Sequence, residues 1–133
     1  TRFIPRSDGS MIRDFIYVED VADLYAVIAE GLAADPQRFS GEIFNAGTNS
    51  PITVRELLGK VYQSVGNTED FQKVLELMKD MEAVGEISCQ YMDYDKVEKF
   101  FNWRPKHSLD KGLRKTIEWY KGWNKANTEM KYG

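Results

Sequence analysis

Apolar positions along this chain change period several times, and each change marks an element. From Met11 to Tyr17 the residues run mostly apolar around Arg13 and Asp14, which predicts a strand after the Ser7-Asp8-Gly9-Ser10 turn. Residues 1–5 read as a short extended segment closed by Pro5. Val21, Leu24, Tyr25, Ile28 and Leu32 then fall at helical spacing, predicting a helix over 19–31 with these side chains on its inner face. Glu19, Asp20 and Asp23 lie in or near its first turn, where carboxylates meet the positive end of the helix dipole. Asp20 reads as a helix cap and Gly31 as the stop. Residues 42–46 predict a short strand that runs out into the Gly47-Thr48-Asn49-Ser50-Pro51 loop.

The second half is dominated by helical spacing. Thr53-Val54-Arg55-Glu56 spells a capping box, opening a helix with Leu57, Leu58, Val61, Tyr62 and Val65 inward. Residues 69–82 predict another helix through Phe71, Val74, Leu75, Met78 and Met81, and 86–91 an extended segment. Asp93 reads as the N-cap of a short helix carrying Val97, Phe100 and Phe101, broken at Trp103-Arg104-Pro105. Ser108 caps a last helix through Leu109, Leu113, Ile117 and Tyr120. The order implies one mixed α/β, helix-rich domain over residues 1–120 and a polar, frayed tail over 121–133.

Composition narrows the partners. The 133 residues carry a formal net charge of −3, which argues against nucleic acid, whose phosphates need a basic face. No apolar run approaches the roughly 20 residues of a membrane span, and the N-terminus lacks the apolar core of a signal peptide. A single cysteine, Cys89, allows no disulfide within the chain, so a cytoplasmic location is expected. The chain opens on Thr1 rather than Met and within an apolar run, which suggests an excised or processed piece.

Several chemistries lack their residues. No Gly-x-Gly occurs, hence no dinucleotide or phosphate loop of that kind. None of the seven tyrosines is followed four positions later by lysine, the pairing that would depress a tyrosine pKa for proton abstraction. His107 is the only histidine and reads as a solvent-exposed or N-cap-adjacent loop residue, and with a single histidine and a single cysteine a metal site is not expected. No catalytic residue is therefore assigned.

Four blocks in order carry a resemblance. They are Ile12-Arg13-Asp14-Phe15-Ile16-Tyr17-Val18-Glu19-Asp20-Val21, Gly41-Glu42-Ile43-Phe44-Asn45-Ala46-Gly47, Pro51-Ile52-Thr53-Val54-Arg55-Glu56-Leu57 and Asn102-Trp103-Arg104-Pro105. Together they resemble the C-terminal, substrate-binding lobe of extended short-chain dehydrogenase/reductases, the NAD-dependent nucleotide-sugar epimerase/dehydratase family. Gly85-Glu86-Ile87-Ser88-Cys89-Gln90-Tyr91-Met92-Asp93 is similar to a segment of CDP-glucose 4,6-dehydratase-like members. The resemblance implies a lobe that closes over a nucleoside-diphosphate sugar, while a Rossmann lobe absent from this chain holds NAD(P) and the Tyr-x-x-x-Lys pair. No cofactor is expected on this chain itself.

By the same resemblance Arg13 contacts the substrate diphosphate, which suits a guanidinium fork that never loses its charge. A surface pair with Asp14 or Glu19 is its plain alternative. Asn45 is implied to lie by the phosphate or sugar, and Gln90 and Tyr91 to line the pocket, with no arginine between Arg55 and Arg104 where many relatives carry one. Trp103 and Pro105 are expected against the last helix, and Phe100, Phe101, Met78 and Met81 in the core. A lobe without its partner exposes apolar surface, so self-association or a Rossmann-lobe partner is expected. The competing function is a stand-alone, non-catalytic binding module derived from the lobe.

Overall fold

The computed structural model describes the backbone of residues 4–132 and the side chains of residues 4–125. Its order is β1 (Ile12–Arg13), α1 (Val18–Ala34), α2 (Pro36–Phe39), β2 (Ile52–Thr53), α3 (Val54–Ser64), α4 (Thr68–Met78), β3 (Cys89–Gln90), α5 (Asp95–Phe101) and α6 (Leu109–Tyr132). The three strands form one mixed sheet in the order β2-β1-β3. Ile12 faces Thr53 across an antiparallel pair and Cys89 across a parallel one, while Arg13 faces Ile52 and Gln90. The mixed, helix-rich α/β architecture is the one expected.

The sheet is smaller than the apolar pattern suggests. The strand expected over 11–17 is two residues long, because its partners are equally short and Asp14 leaves the ladder to bind Thr48. The strand expected over 42–46 does not form. That segment finds no strand partner among the described residues and is held by side chains instead: Lys96 Nζ donates to the Ile43 carbonyl at 2.9 Å and to Glu42 at 2.6 Å. Phe44 meets the rings of Phe101 and Phe100 at 5.2 and 5.4 Å. Ile4 and Pro5 belong to no strand, and the rest of the expected 1–5 segment lies outside the described residues.

The helices are placed correctly but bounded differently. The capping box of α3 is present, with the Thr53 side chain accepting from the Glu56 N–H and Glu56 reaching back to the Thr53 N–H. Ser108 Oγ likewise accepts from the Lys111 N–H at 3.3 Å at the start of α6. α1 runs past Gly31 to Ala34, since Gly31 is a contact point and not a stop: a Cβ there would lie 2.5 Å from a ring carbon of Phe101. Tyr25 and Leu32 point away from the core, Tyr25 being 72% exposed, because the face through Leu24 and Ile28 is the one that α5 covers. Asp93 accepts from the Asp95 N–H but Tyr94 holds the cap position of α5. α4 stops at Met78, and α6 continues as helix through the tail expected to fray.

The core centres on Leu24, Val97 and Trp103, surrounded by Ile16, Val27, Ile28, Phe44, Ala46, Tyr94 and Phe101. Trp103 thus packs between α1 and α5, not on the last helix, and its Nε1–H donates to Asp23 at 2.9 Å. The buried indole therefore anchors to α1 by apolar and polar ends at once. Met78 and Val74 fill the second apolar centre beneath α3, whereas Met81, Phe100 and Phe101 are half-buried.

Ion pairs stitch the helices from outside. Lys115 of α6 donates to Glu19 of α1 at 2.5 Å, Lys106 to Asp23 at 2.7 Å and Lys60 of α3 to Asp110 of α6 at 2.8 Å. Hydrogen bonds from these lysines hold the carboxyls of Glu19, Asp23 and Asp110 below their ordinary pKa values. A lowered folded-state pKa contributes stability that is present above the unfolded value and lost as pH falls through the folded one. Melting temperature should therefore hold on mild acidification and fall once pH drops below about 4, the ordinary carboxylate range. Lys115→Gln should melt lower at neutral pH and show a shallower acid drop. An acid profile identical to that of the parent chain would show that Glu19 takes no part.

Candidate functional site

The sheet edge and the loops beyond it build one polar concavity. Arg13 from β1 and Gln90 from β3 are register partners, so adjacent parallel strands deliver them to the same place. With Asp14, Ala46, Tyr91 and Met92 they line a cavity of about 220 Å³. Asn45 precedes the lining residue Ala46 and is itself exposed, so it borders the cavity without being one of its walls. Arg13, Gln90 and Tyr91 therefore converge on this cavity, and Asn45 stands one residue off.

Two features of this cavity were not anticipated. The first is how its wall is held. The Asp14 carboxylate accepts from the Thr48 N–H at 2.5 Å and also from the Thr48 hydroxyl, pinning the loop after Asn45 to the end of β1. Gly47 lies so close beneath Met92 that a Cβ would meet the Met92 carbonyl oxygen at 1.7 Å. The Asn45-Ala46-Gly47 run was legible as a motif, but nothing in one sequence could say which backbone crosses Gly47.

The second is the state of Arg13. Its Nη1 donates to the carbonyl of its own neighbour Ile12 at 2.8 Å. Its Nη2 lies 3.6 Å from Glu86, and neither Asp14 nor Glu19 is its ion-pair partner. Arg13 is the single cation among the residues lining this cavity.

A second polar cluster lies between α1 and the loop before α6. Asp20 is 1% exposed and does not cap its own helix, whose N-cap residue Tyr17 makes no capping bond with its side chain. Its carboxylate instead accepts from the backbone N–H groups of Lys106 and His107 at 3.2 and 3.1 Å and contacts His107 Nδ1 at 2.8 Å. A carboxylate can only accept, so Nδ1 carries the hydrogen. His107 Nε2 lies 3.7 Å from Glu19, and the imidazole packs 4.9 Å from the Tyr17 ring. His107 is thus mostly enclosed, and of the two expected readings it is the one next to the α6 cap residue Ser108 that holds, not the solvent-exposed one. Both its nitrogens face carboxylates and one ring face is covered, which makes the cluster a latch between α1 and α6. The Tyr17 hydroxyl, which donates to Glu19, is pushed above its usual pKa by burial first and by that carboxylate second, the opposite of what a proton-abstracting tyrosine needs.

Beside the latch, Ile16, Tyr17, Val18, Glu19, Thr116, Trp119 and Tyr120 line a broader cavity of about 580 Å³. Trp119 and Trp123 stack at 5.4 Å on the outside of α6, and both are exposed with Tyr120. Among the described residues no group of three or more His, Cys, Asp or Glu side chains could hold a metal ion. No described helix is long and apolar enough to cross a membrane.

The chain is thus a mixed α/β fold whose small sheet presents an arginine and an amide to a polar cavity. No family model matches the chain. The dTDP-glucose 4,6-dehydratase of Shigella flexneri is 30% identical over 113 residues, covering 84% of this chain and 30% of that protein. UDP-glucuronate 4-epimerase of Thermodesulfobacterium geofontis is 28% identical over 124 residues, 92% of this chain and 33% of that one. Among solved structures, Bordetella bronchiseptica WbmF in complex with NADH superposes with a TM-score of 0.69 at 29% identity, covering 96% of this chain and 34% of that one. Bacillus anthracis dTDP-glucose 4,6-dehydratase in complex with NAD gives 0.67 at 26% identity, with 87% and 33% covered. By sequence and by fold the chain is a homologue of part of the nucleotide-sugar dehydratases and 4-epimerases, which are extended short-chain dehydrogenase/reductases. It spans about a third of the length of these relatives.

Proposed function

We propose that this chain is the substrate-binding lobe of an NAD-dependent nucleotide-sugar dehydratase or epimerase. It would hold a nucleoside-diphosphate sugar through Arg13 and Asn45, with Gln90 and Tyr91 along the ligand. The observation that carries this reading is the convergence of Arg13, Gln90 and Tyr91 on one cavity from adjacent strands. A guanidinium fork suits phosphate oxygens, an amide can donate to phosphate or sugar hydroxyl, and a tyrosine ring offers an apolar face with a polar tip. The structure of WbmF with NAD+ and UDP, 27% identical and with a TM-score of 0.65, supports a uridine diphosphate-type ligand for that enzyme and, by homology, a related one here.

The chain's residues do not fit a dinucleotide, because the sequence holds neither a Gly-x-Gly turn nor a Tyr-x-x-x-Lys pair. Hydride and proton transfer therefore fall to residues outside this chain, and alone it should bind without turnover. The exposed face of Trp119, Tyr120 and Trp123 supports a covering partner, either the dinucleotide-binding portion or a second copy. Sedimentation as a monomer at high concentration would leave only the first.

The test is a two-dimensional NMR titration of the chain with CDP-, dTDP- and UDP-glucose, repeated on Arg13→Ala. Shifts should cluster at Arg13, Asn45, Gln90 and Tyr91, and the variant should bind about ten- to a hundredfold more weakly, the loss of a charged hydrogen bond. An absence of shifts at millimolar ligand would refute the reading for the isolated chain.

A further inference from the structure

We infer that Glu86 is a built-in competitor for the anion site on Arg13, a gate that the ligand must open before its phosphates can be held. This deepens the binding role proposed above and rests on it. The Arg13 fork is turned inward, one arm on the Ile12 carbonyl at 2.8 Å and the other 3.6 Å from the Glu86 carboxylate. The Arg13 side chain is 22% exposed and that of Glu86 56%, so the carboxylate approaches from the solvent side, the direction from which a ligand would also arrive. An incoming phosphate and Glu86 therefore compete for the same guanidinium.

The carboxylate that lines the cavity itself cannot play this part. Asp14 is engaged by the Thr48 N–H and hydroxyl and pairs with no cation among the described residues. Glu86, by contrast, rides on the connection between α4 and β3, which is anchored where Ser88 accepts from the Ile12 N–H at 2.8 Å. Just before it Gly85 takes a left-handed turn at φ 73°. On either side Val84 and Ile87 are 84% and 60% exposed, so neither ties this stretch to the core. The segment can swing about its Ser88 anchor and lift the carboxylate away at little packing cost. Lifting it leaves Arg13 unpaired and able to form the bidentate contact a diphosphate offers. It also removes a like charge from the path of an anionic ligand.

The experiment compares the chain with Glu86→Gln and Glu86→Lys, using UDP and uncharged uridine as probes at low and high salt. Exposed ion pairs set the scale, so Glu86→Gln should bind UDP about two- to fivefold more tightly, and Glu86→Lys more tightly still. Both gains should shrink in high salt, and uridine affinity should stay unchanged. In an Arg13→Ala background the Glu86→Gln gain should vanish, because the competition is for that guanidinium. UDP binding that is the same in Glu86→Gln as in the parent chain would overturn the gate while leaving the binding role intact. An equal gain for uridine would overturn it too, since the effect would then be one of loop shape. If no variant binds UDP at all, the gate and the binding role fall together.

Discussion

Asp20→Ala should cost the chain roughly 3–5 kcal/mol, because it leaves several hydrogen-bond donors unpaired at about 1–3 kcal/mol each. Typical domain stabilities are about 5–15 kcal/mol, so the variant should be largely destabilised at physiological temperature. The magnitude follows from what the carboxylate satisfies. It takes two backbone N–H groups and the His107 ring, all on the loop that leads into α6. Without it those donors remain enclosed and unpaired, and His107 keeps only the longer approach to Glu19. Asp20→Asn should be nearly as harmful, since its NH₂ group would face a donor. A urea or thermal melt decides the matter: a midpoint about 10 °C or more below the parent is expected. Hydrogen exchange should accelerate first in the loop before α6. A variant melting within about 2 °C of the parent would show that the latch contributes nothing.

Asp20 also shows where reading the sequence reaches its limit. Its position in the first turn of a helix is legible, and a carboxylate there has an obvious local use. The structure gives it a distant partner 86 and 87 residues along the chain, which no local pattern encodes. The same holds for Arg13. Its presence beside the cavity, with Gln90 and Tyr91, follows from the ordered blocks of the resemblance. That Glu86 would face it could not be read, because the approach depends on how the connection after Met78 folds back. Elements whose cause is local were legible: the capping box of α3, the Ser108 cap of α6 and the apolar stripe of α4. Strands were not, because a strand exists only where a partner lies alongside. The apolar run of 42–46 finds Lys96, Phe100 and Phe101 in place of a neighbouring strand. Gly31 reads as punctuation and is a packing contact, for the same reason: glycine marks both ends of helices and close approaches.

Gly47→Ala should be the most damaging single methyl in the chain. Its Cβ would stand 1.7 Å from the Met92 carbonyl oxygen and 2.7 Å from an Asp14 carboxylate oxygen. A flexible side chain could turn aside, but a backbone carbonyl moves only with its strand end, so the chain at Met92 must retreat. Overpacking of ordinary cores costs about 1–3 kcal/mol, and a backbone collision belongs at the upper end of that range. Retreat at Met92 drags Tyr91 and Gln90 away from Arg13, while pressure on Asp14 loosens its grip on Thr48. Stability and ligand binding should therefore fall together, with chemical shifts perturbed at both Gln90 and Thr48. Gly122→Ala supplies the contrast. Among the described residues no atom beyond its chain neighbours and its own helix backbone lies within 4 Å of its would-be Cβ, and it sits inside α6, where alanine gains up to about 1 kcal/mol over glycine. One added methyl should thus raise the melting temperature at 122 and lower it at 47. If Gly47→Ala melted and bound like the parent, the loop after Asn45 would not be clamped beneath Met92. The cavity would then owe its shape to the two short strands alone.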